Sequence, residues 1–424
     1  MTESPLRLLG QRRFLPLFVT QFLGAFNDNL YKMAMVVLVT FTIYNDPKQE
    51  ESFNALTGAV FILPFFLFSA IAGQLADSRD KAKLIRIIKT AEILIMLVGA
   101  TGIMLSNVPI MLIALFAMGV HSSFFGPIKY AILPQHLDKD HVLAGTGMVE
   151  AGTYIAILLG TIVGGLLPPQ LAAGSVLAVA AIGRFAGGYV PPAPPETGAP
   201  ALVFNWNVFT ASWQQVSDTM HVQRLFRAIM AISFFWAVGA IFAAQFPPLV
   251  KNILNADKTV ATLFTSLFSI GIAIGSIVVN QLLKGQVSAK YSPISVIVMG
   301  LFVVDLWWQT QTWVTVAGPP MDWRAFIAIG KADRILFDLL GIATAGGMFV
   351  VPLYAFLTTT VAPTETARTI AVLNIVTSAA MVLAALLLLV LAQLSIGVAN
   401  SLLIVAVGSL VAAWIAQLLH KAVD

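Results

Sequence analysis

Cysteine is absent from the 424 residues, and charge is scarce: Asp, Glu, Lys and Arg make up 10% of the chain, against about 25% in ordinary soluble domains. The first absence excludes disulfides, thiolate nucleophiles and cysteine metal sites, and leaves the redox compartment open. The second excludes a soluble globular chain, because 58% of the residues are hydrophobic and the mean hydropathy is +0.88. No G-x-x-x-x-G-K-[ST] phosphate loop occurs, which argues against ATP hydrolysis by this chain. None of the five histidines is followed by aspartate five residues later, so the H-x-x-x-x-D motif of phospholipid acyl transfer is missing. No cofactor or metal site is read from the sequence and nothing in it points to nucleic acid; the expectation is a membrane transporter rather than an enzyme.

What is present is apolar length. A bilayer-crossing helix needs about 20 mostly apolar residues, and the chain offers twelve such segments. They lie near residues 14–44, 53–76, 84–106, 108–133, 142–167, 171–190, 225–250, 259–283, 292–316, 334–361, 369–394 and 398–420. The fold class is therefore an all-α polytopic membrane protein, with an N-terminal six-helix half at 1–190, a linker at 191–224 and a C-terminal six-helix half at 225–424. The linker begins with PPAPPETGAP, residues 191–200, which cannot continue a helix. After it Trp206, Phe209, Trp213, Val216 and Met220 recur at three- and four-residue spacing. That pattern predicts an amphipathic helix, lying on the cytoplasmic membrane surface or packed on the protein itself. Arg7, Arg12 and Arg13 before Phe14 look like a signal-peptide start, but the apolar run is long and lacks a small-residue cleavage site, so it is read as an uncleaved first helix. With a cytoplasmic N-terminus, the N-tail, the even-numbered loops and the C-tail carry most of the 24 Lys and Arg, which puts both termini in the cytoplasm. Internal symmetry is faint: residues 12–26 and 224–238 share aromatic spacing.

The few intramembrane charges carry the functional reading, since a charge at the centre of a spanning helix costs about 2.5–3.5 kcal/mol on insertion scales. Gln21, Gly24, Asp28 and Lys32 fall within an arc of about 80° on one helix, with Asn27 beside them. His121, Ser122, Phe125 and Lys129 make a second stripe on the fourth span, and Glu150 with Thr146, Thr153 and Tyr154 a third on the fifth. Three such stripes in one half predict an amphiphilic site for a charged headgroup. Its expected residues are Asp28, Lys32, Lys129, Glu150, Gln21, Asn27 and His121, with Phe125 and the aromatic run Phe234, Phe235 and Trp236 for an acyl chain. Lys129 and Glu150 are expected to pair, and Asp28 precedes Lys32 in the favourable order for a helical ion pair. The structural alternatives are snorkelling of Lys129 and Arg184 to the interface and a permanent Asp28–Lys32 pair that only lets the helix insert. Lys89 with Glu92, and Arg334 with Asp338, read as structural pairs near interfaces, whereas Asp305 either meets a substrate or pairs with another helix. GxxxG at Gly160–Gly164 and Gly271–Gly275 reads as close helix packing.

Two stretches resemble known families. GQLADSRDKAK, Gly73 to Lys83, resembles the loop signature of the major facilitator superfamily, G-x-L-A-D-x-x-G-R-K, with Gly73, Leu75, Ala76, Asp77 and Lys81 in place. Asp80 stands where the pattern has its second glycine. FFGPIKYAILPQHL at 124–137, with QFLGAFNDNLYK at 21–32, GTGMVEAGTYIAILLG at 145–160 and SFFWAVGAIF at 233–242, is similar to the bacterial lysophospholipid transporter (flippase) family within that superfamily. The likeness covers nearly all of the N-terminal half and the seventh span, and is looser beyond Lys251.

The resemblance implies the major facilitator fold, twelve helices in two six-helix halves, working by alternating access in a bacterial inner membrane. It implies a lysophospholipid substrate, such as lysophosphatidylethanolamine, moved to the cytoplasmic leaflet for reacylation, with membrane lipids around it and a separate acyltransferase as a partner. Some members carry a fused acyltransferase; here the sequence ends at Asp424 just after the last helix, so none is expected. It also implies a conformational switch at Gly73, Asp77, Arg79 and Lys81, against the plainer reading of a solvated turn that fixes topology, and a sliding seam between halves at the two GxxxG spans, against ordinary packing. Two rival functions stand beside it: a proton-coupled exporter of drugs or small amphiphiles, and a membrane scaffold that presents lipid without moving it.

Overall fold

A computed structural model describes residues 5–194, 207–283, 288–314, 318–360 and 363–423. Twelve long helices organise them: α1 (Leu15–Leu38), α2 (Pro47–Ser78), α3 (Lys81–Met104), α4 (Val108–Ala131), α5 (Lys139–Leu166), α6 (Pro169–Gly188), α7 (Gln223–Asn252), α8 (Lys258–Leu282), α9 (Ser292–Gln311), α10 (Ala332–Thr360), α11 (Pro363–Gln393) and α12 (Leu403–Val423). The expected count of twelve is met, and the chain is a multi-pass membrane protein. Among the described residues ten helices are long and apolar enough to cross a membrane. Of the two others, α1 carries the polar stripe Gln21, Asn27, Asp28 and Lys32 that lowers its hydropathy, and the described part of α5 includes the apolar stretch Ile155–Leu166.

Helix ends follow local chemistry. Asp80 caps α3, its carboxylate accepting from the amides of Ala82 and Lys83, and Asp257 caps α8 through Thr259. Proline opens α6 at Pro169 and α9 at Pro293, where its missing N–H costs nothing. The helix predicted after the linker runs Val208–Met220; Val216 and Met220 pack on protein core, while Trp213 stays 76% exposed. One face of this helix is therefore packed on the protein itself and another is left open. Trp206 lies outside the described residues.

The chain's internal contacts define two compact units, residues 1–38 with 63–211, and residues 39–62 with 212–424. In the first, α1 packs on α5 and α6, and α3 packs on α4 and α6. In the second the same scheme recurs six helices later, with α7 on α11 and α12, and α9 on α10 and α12. The faint sequence symmetry therefore has a structural counterpart. The second unit has an aromatic heart in which Phe242, Phe246, Phe264 and Phe268 meet in tilted and edge-on pairs.

The GxxxG motifs work inside each unit. A Cβ on Gly160 or Gly164 of α5 would fall 2.3 Å from the Phe26 carbonyl or 2.4 Å from that of Leu30, both on α1. On α8, a Cβ at Gly275 would fall 2.0 Å from the Thr344 carbonyl of α10. Backbone against backbone is what glycine permits here. The seam-between-halves reading is corrected for these glycines: their partners are α1 and α10 of their own units.

The signature loop is tied down by its own backbone. Lys81 donates its amide to Ala193, 3.0 Å, the Asp80 carboxylate accepts from the Ala193 amide at 3.3 Å, and Arg86 reaches the Val190 carbonyl at 3.2 Å. Lys81 is buried and Arg79 exposed. Among the described residues, a Cβ at Gly73 would meet nothing within 4 Å. The cap comes from Asp80, the residue that departs from the pattern; the side chain of Asp77 is outside the described residues.

Candidate functional site

The site grows from α1. Its run Gly24-Ala25-Phe26-Asn27-Asp28 places small residues where α3 and α6 approach, and polar ones on the face toward α3 and α4. Asp28 is buried, and the Ser122 hydroxyl of α4 donates to its Oδ2 at 2.5 Å. Its other oxygen, Oδ1, has no hydrogen-bond partner among the described residues. Lys32, one turn on, lies within the electrostatic reach of Asp28.

Behind Asp28 lies a second layer. Lys89 and Glu92 of α3 form an ion pair, each side chain 1% exposed. Glu92 also meets His121 Nε2 of α4 at 3.3 Å and accepts from the Asn27 amide at 3.0 Å. His121 Nδ1 faces the Ser122 hydroxyl at 3.4 Å, which closes a continuous path from Lys89 to Asp28. Glycines make the room: a Cβ on Gly183 of α6 would stand 3.1 Å from Lys89 Nζ, and one on Gly24 would stand 3.4 Å from it. Lys89 and Glu92 therefore sit mid-helix and enclosed, which corrects the reading of a pair near an interface.

A third group lies toward α5. The Thr153 hydroxyl donates to Gln21 Oε1 at 2.9 Å, and Lys129 Nζ donates to Thr153 Oγ1 at 3.4 Å. Gly152 clears the space for Gln21, whose Nε2 would be 3.1 Å from a Cβ there. The side chains of Glu150 and Tyr154 lie outside the described residues, so the expected Lys129–Glu150 pair falls there too.

Of the residues singled out in the sequence, Asp28, Lys32 and His121 form one group in the first unit, and Gln21 and Lys129 meet at Thr153 in another. Asn27 is fully buried, and its amide, committed to Glu92 and to the Val176 carbonyl, braces α1 against α3 and α6, while its Oδ1 has no hydrogen-bond partner among the described residues. Phe125 stacks on His121, the rings 6.3 Å apart and 2° from parallel, and so serves the imidazole. Trp236 belongs to the second unit, where its indole N–H donates to Tyr354 at 2.7 Å; Phe235 is buried in that unit's core, with Phe234 packed against it. Asp305 resolves as a helix-to-helix pair, since Arg334 donates to it at 2.8 Å and stands 3.7 Å from Asp338. The residue that sequence reading undervalued is Glu92. Its one signal was a carboxylate in the apolar run AEILIML, and the adjacent lysine explained it away.

The chain has relatives. The lysophospholipid transporter LplT of Photorhabdus laumondii subsp. laumondii is 27% identical over 363 residues, 84% of this chain and 81% of that one. The lysophospholipid transporter LplT of Escherichia fergusonii is 26% identical over 348 residues, 80% of this chain and 78% of that one. Among solved structures, a D-xylose-proton symporter aligns with a TM-score of 0.69 at 13% identity, over 95% of this chain and 97% of that one. The POT family transporter PepTSo aligns with a TM-score of 0.70 at 10% identity, over 97% and 99%. These structures share the fold. Residues 17–330, well over half of the sequence, match the Major Facilitator Superfamily, and with twelve helices repeating one packing scheme after six, the chain belongs to that superfamily.

Proposed function

We propose that this protein is a secondary transporter of lysophospholipids, moving a single-chain lipid to the cytoplasmic leaflet of a bacterial inner membrane by alternating access of its two halves, 1–190 and 225–424, about the linker 191–224. Both termini lie on the cytoplasmic side, and the signature loop from Gly73 to Lys83 acts there as the switch. The observation that carries the reading is the buried Asp28 carboxylate, with one oxygen held by Ser122 and the other unmet by the described residues. An enclosed carboxylate with a vacant acceptor, and lysines on α1 and α4 of the same unit, suits a zwitterionic headgroup. The amine goes to Asp28 Oδ1, and the phosphate goes to Lys32 or Lys129. The lysophospholipid transporters among its relatives support the same substrate class. A separate acyltransferase would consume the delivered lipid.

Leaflet-resolved uptake of labelled lysophosphatidylethanolamine into proteoliposomes tests this. Transfer that depends on the protein is the expected result. Movement of cationic dyes with lysolipid left untouched would replace the reading with export of small amphiphiles, and binding without transfer would replace it with a scaffold.

A further inference from the structure

We propose that Asp28, Ser122 and His121, backed by Glu92, hold one exchangeable proton, and that a cation seated at Asp28 is exchanged for it. The exchange rests on the headgroup reading above; the relay stands without it.

The argument is one of hydrogen-bond sense. Glu92, ionised beside Lys89, draws a hydrogen onto His121 Nε2, 3.3 Å away, by charge rather than by an aligned hydrogen bond, since Nε2 and Glu92 Oε2 have no hydrogen-bond partner among the described residues. Ser122 has one hydroxyl hydrogen and two acceptor lone pairs, and stands between His121 Nδ1 at 3.4 Å and Asp28 Oδ2 at 2.5 Å. Two arrangements satisfy every contact. In the first, Asp28 is ionised and accepts from Ser122, whose oxygen accepts from a protonated His121 Nδ1. In the second, Asp28 carries the proton and donates it to Ser122, which donates its own hydrogen to a bare Nδ1. Passing between them moves one proton from Nδ1 to Ser122 Oγ and one from Ser122 Oγ to Asp28 Oδ2. No heavy atom need change partners.

The charges around the relay favour this exchange. On α1 stand Asp28 and Lys32, on α3 Lys89 and Glu92, and on α4 His121. The polar group that α6 brings to Asn27 is the Val176 carbonyl, while its Arg184 turns to Thr90; Glu150 of α5 lies outside the described residues. In both arrangements Lys89, Glu92, His121 and Asp28 sum to zero and Lys32 adds the same charge to each, so shifting the proton leaves the net buried charge unchanged. A ligand ammonium on Asp28 fixes the first arrangement and adds a positive charge near the imidazolium. The original net charge is regained when the His121 proton leaves, one cation entering for one proton released. Glu92 acts here through His121, as a positioning residue.

The test has a ligand-free arm and a ligand arm, both on the full-length protein in detergent. Infrared difference spectra recorded against pH report the protonated Asp28 carboxyl, assigned by its loss in Asp28→Asn. Glu92→Gln leaves Lys89 without its counter-charge, so the group is neutral only once the shared proton has left, and the protonated Asp28 fraction is expected to fall about tenfold at a fixed pH, the scale of one neighbouring charge. Ser122→Ala, a small change that folding tolerates, is expected to uncouple Asp28 from His121, so that Glu92→Gln moves the band less than it does with Ser122 in place. An Asp28 band indifferent to both variants overturns the relay. In the second arm, calorimetry in buffers of different ionisation enthalpy counts protons released on binding. About one is expected for lysophosphatidylethanolamine and none for lysophosphatidylglycerol, which lacks the amine. Binding of the amine lipid with no proton released at any pH overturns the exchange. Failure of every lysolipid to bind overturns the headgroup reading, while the infrared arm still decides the relay.

Discussion

Two buried polar knots sit in the two units, and they differ in whether their hydrogen bonds close. In the second unit Glu50, 1% exposed, accepts from Lys251 on one oxygen at 2.6 Å and from Asn252 on the other at 2.9 Å. Lys251 spends its two remaining protons on the carbonyls of Thr40 and Tyr44, at 2.7 and 2.8 Å. Every strong donor there has an acceptor. The knot thereby fastens the π-helical turn Val39–Ile43 and the start of α2 to the end of α7. In the first unit the chain from Lys89 to Asp28 is equally enclosed, yet it ends on a carboxylate oxygen that the described residues leave unmet, and Gln21 keeps an unmet amide nearby. A saturated network fixes structure, whereas a buried network with a vacancy at one end is incomplete without a ligand or proton. The same residue types thus make an anchor in one unit and a site in the other.

The contrast breaks most sharply at Asp28. Asp28→Asn keeps size and hydrogen bonding but removes the charge, and lysolipid transport is expected to fall more than about thirtyfold, the scale of about 2 kcal/mol or more for one partner of a buried charged contact. Expression and membrane insertion should stay near normal. Near-normal transport by well-expressed protein would remove the headgroup role, and loss of folded protein would make the Asp28–Lys32 relation purely structural.

The anchor should respond in the opposite way. Lys251→Met strands the Glu50 carboxylate, and the expected loss is about 3–5 kcal/mol of stability, read as a lowered thermal midpoint in detergent. Adding Glu50→Gln to it should restore most of that loss, because the buried charge goes with its partner. Transport per folded molecule should change little. If the double variant is as unstable as the single one, the knot is not an ion-pair anchor.

A smaller effect sharpens the packing side of the comparison. Gly275→Ala drives a methyl group into the Thr344 carbonyl, with 2.0 Å available, and overpacking of this kind costs about 1–3 kcal/mol. Gly73→Ala has open space and should cost well under that. Equal thermal midpoints for the two variants would mean that α8 and α10 are not in close backbone contact.

How much of this was legible in the sequence follows from which contacts are local. Twelve spans and the stripes on α1 and α4 are written in one-dimensional periodicity, and they were readable. Asp28 was found because a lone carboxylate in an apolar run demands an explanation. Glu92 was passed over because Lys89, three residues earlier, supplied a sufficient local one. Its ties to His121 and Asn27 join residues far apart in the chain, which no spacing rule reaches. The same limit explains Asp305, whose partner Arg334 lies across a loop on another helix. The GxxxG motifs were visible as close-packing signals, but which helix fills the groove is a question of topology. The anchor at Glu50 was invisible for a related reason, since two of its acceptors are backbone carbonyls and carry no residue-type signature.

The smallest predicted effect concerns the position where the signature loop departs from its family's pattern. Where the pattern has glycine, Asp80 accepts from Ala82 N at 2.9 Å and Lys83 N at 3.2 Å, and from Ala193 N at 3.3 Å. Helix capping and the tether to the linker thus meet in one carboxylate oxygen. Replacing a capping aspartate by alanine costs about 0.5–2 kcal/mol, and by glycine only a few tenths, because glycine lets water reach the freed amides. Asp80→Ala is therefore expected to speed hydrogen exchange at Ala82 and Lys83 about fivefold, while Asp80→Gly speeds it less than twofold. The tether predicts a second difference: exchange at Ala193, whose amide loses its acceptor in either variant, should rise equally in both. Acceleration at Ala193 alone would mean that Asp80 acts only on the linker. No acceleration at Ala193 would mean that the α3 cap is independent of it, and that this residue replaces the pattern's glycine as a cap alone.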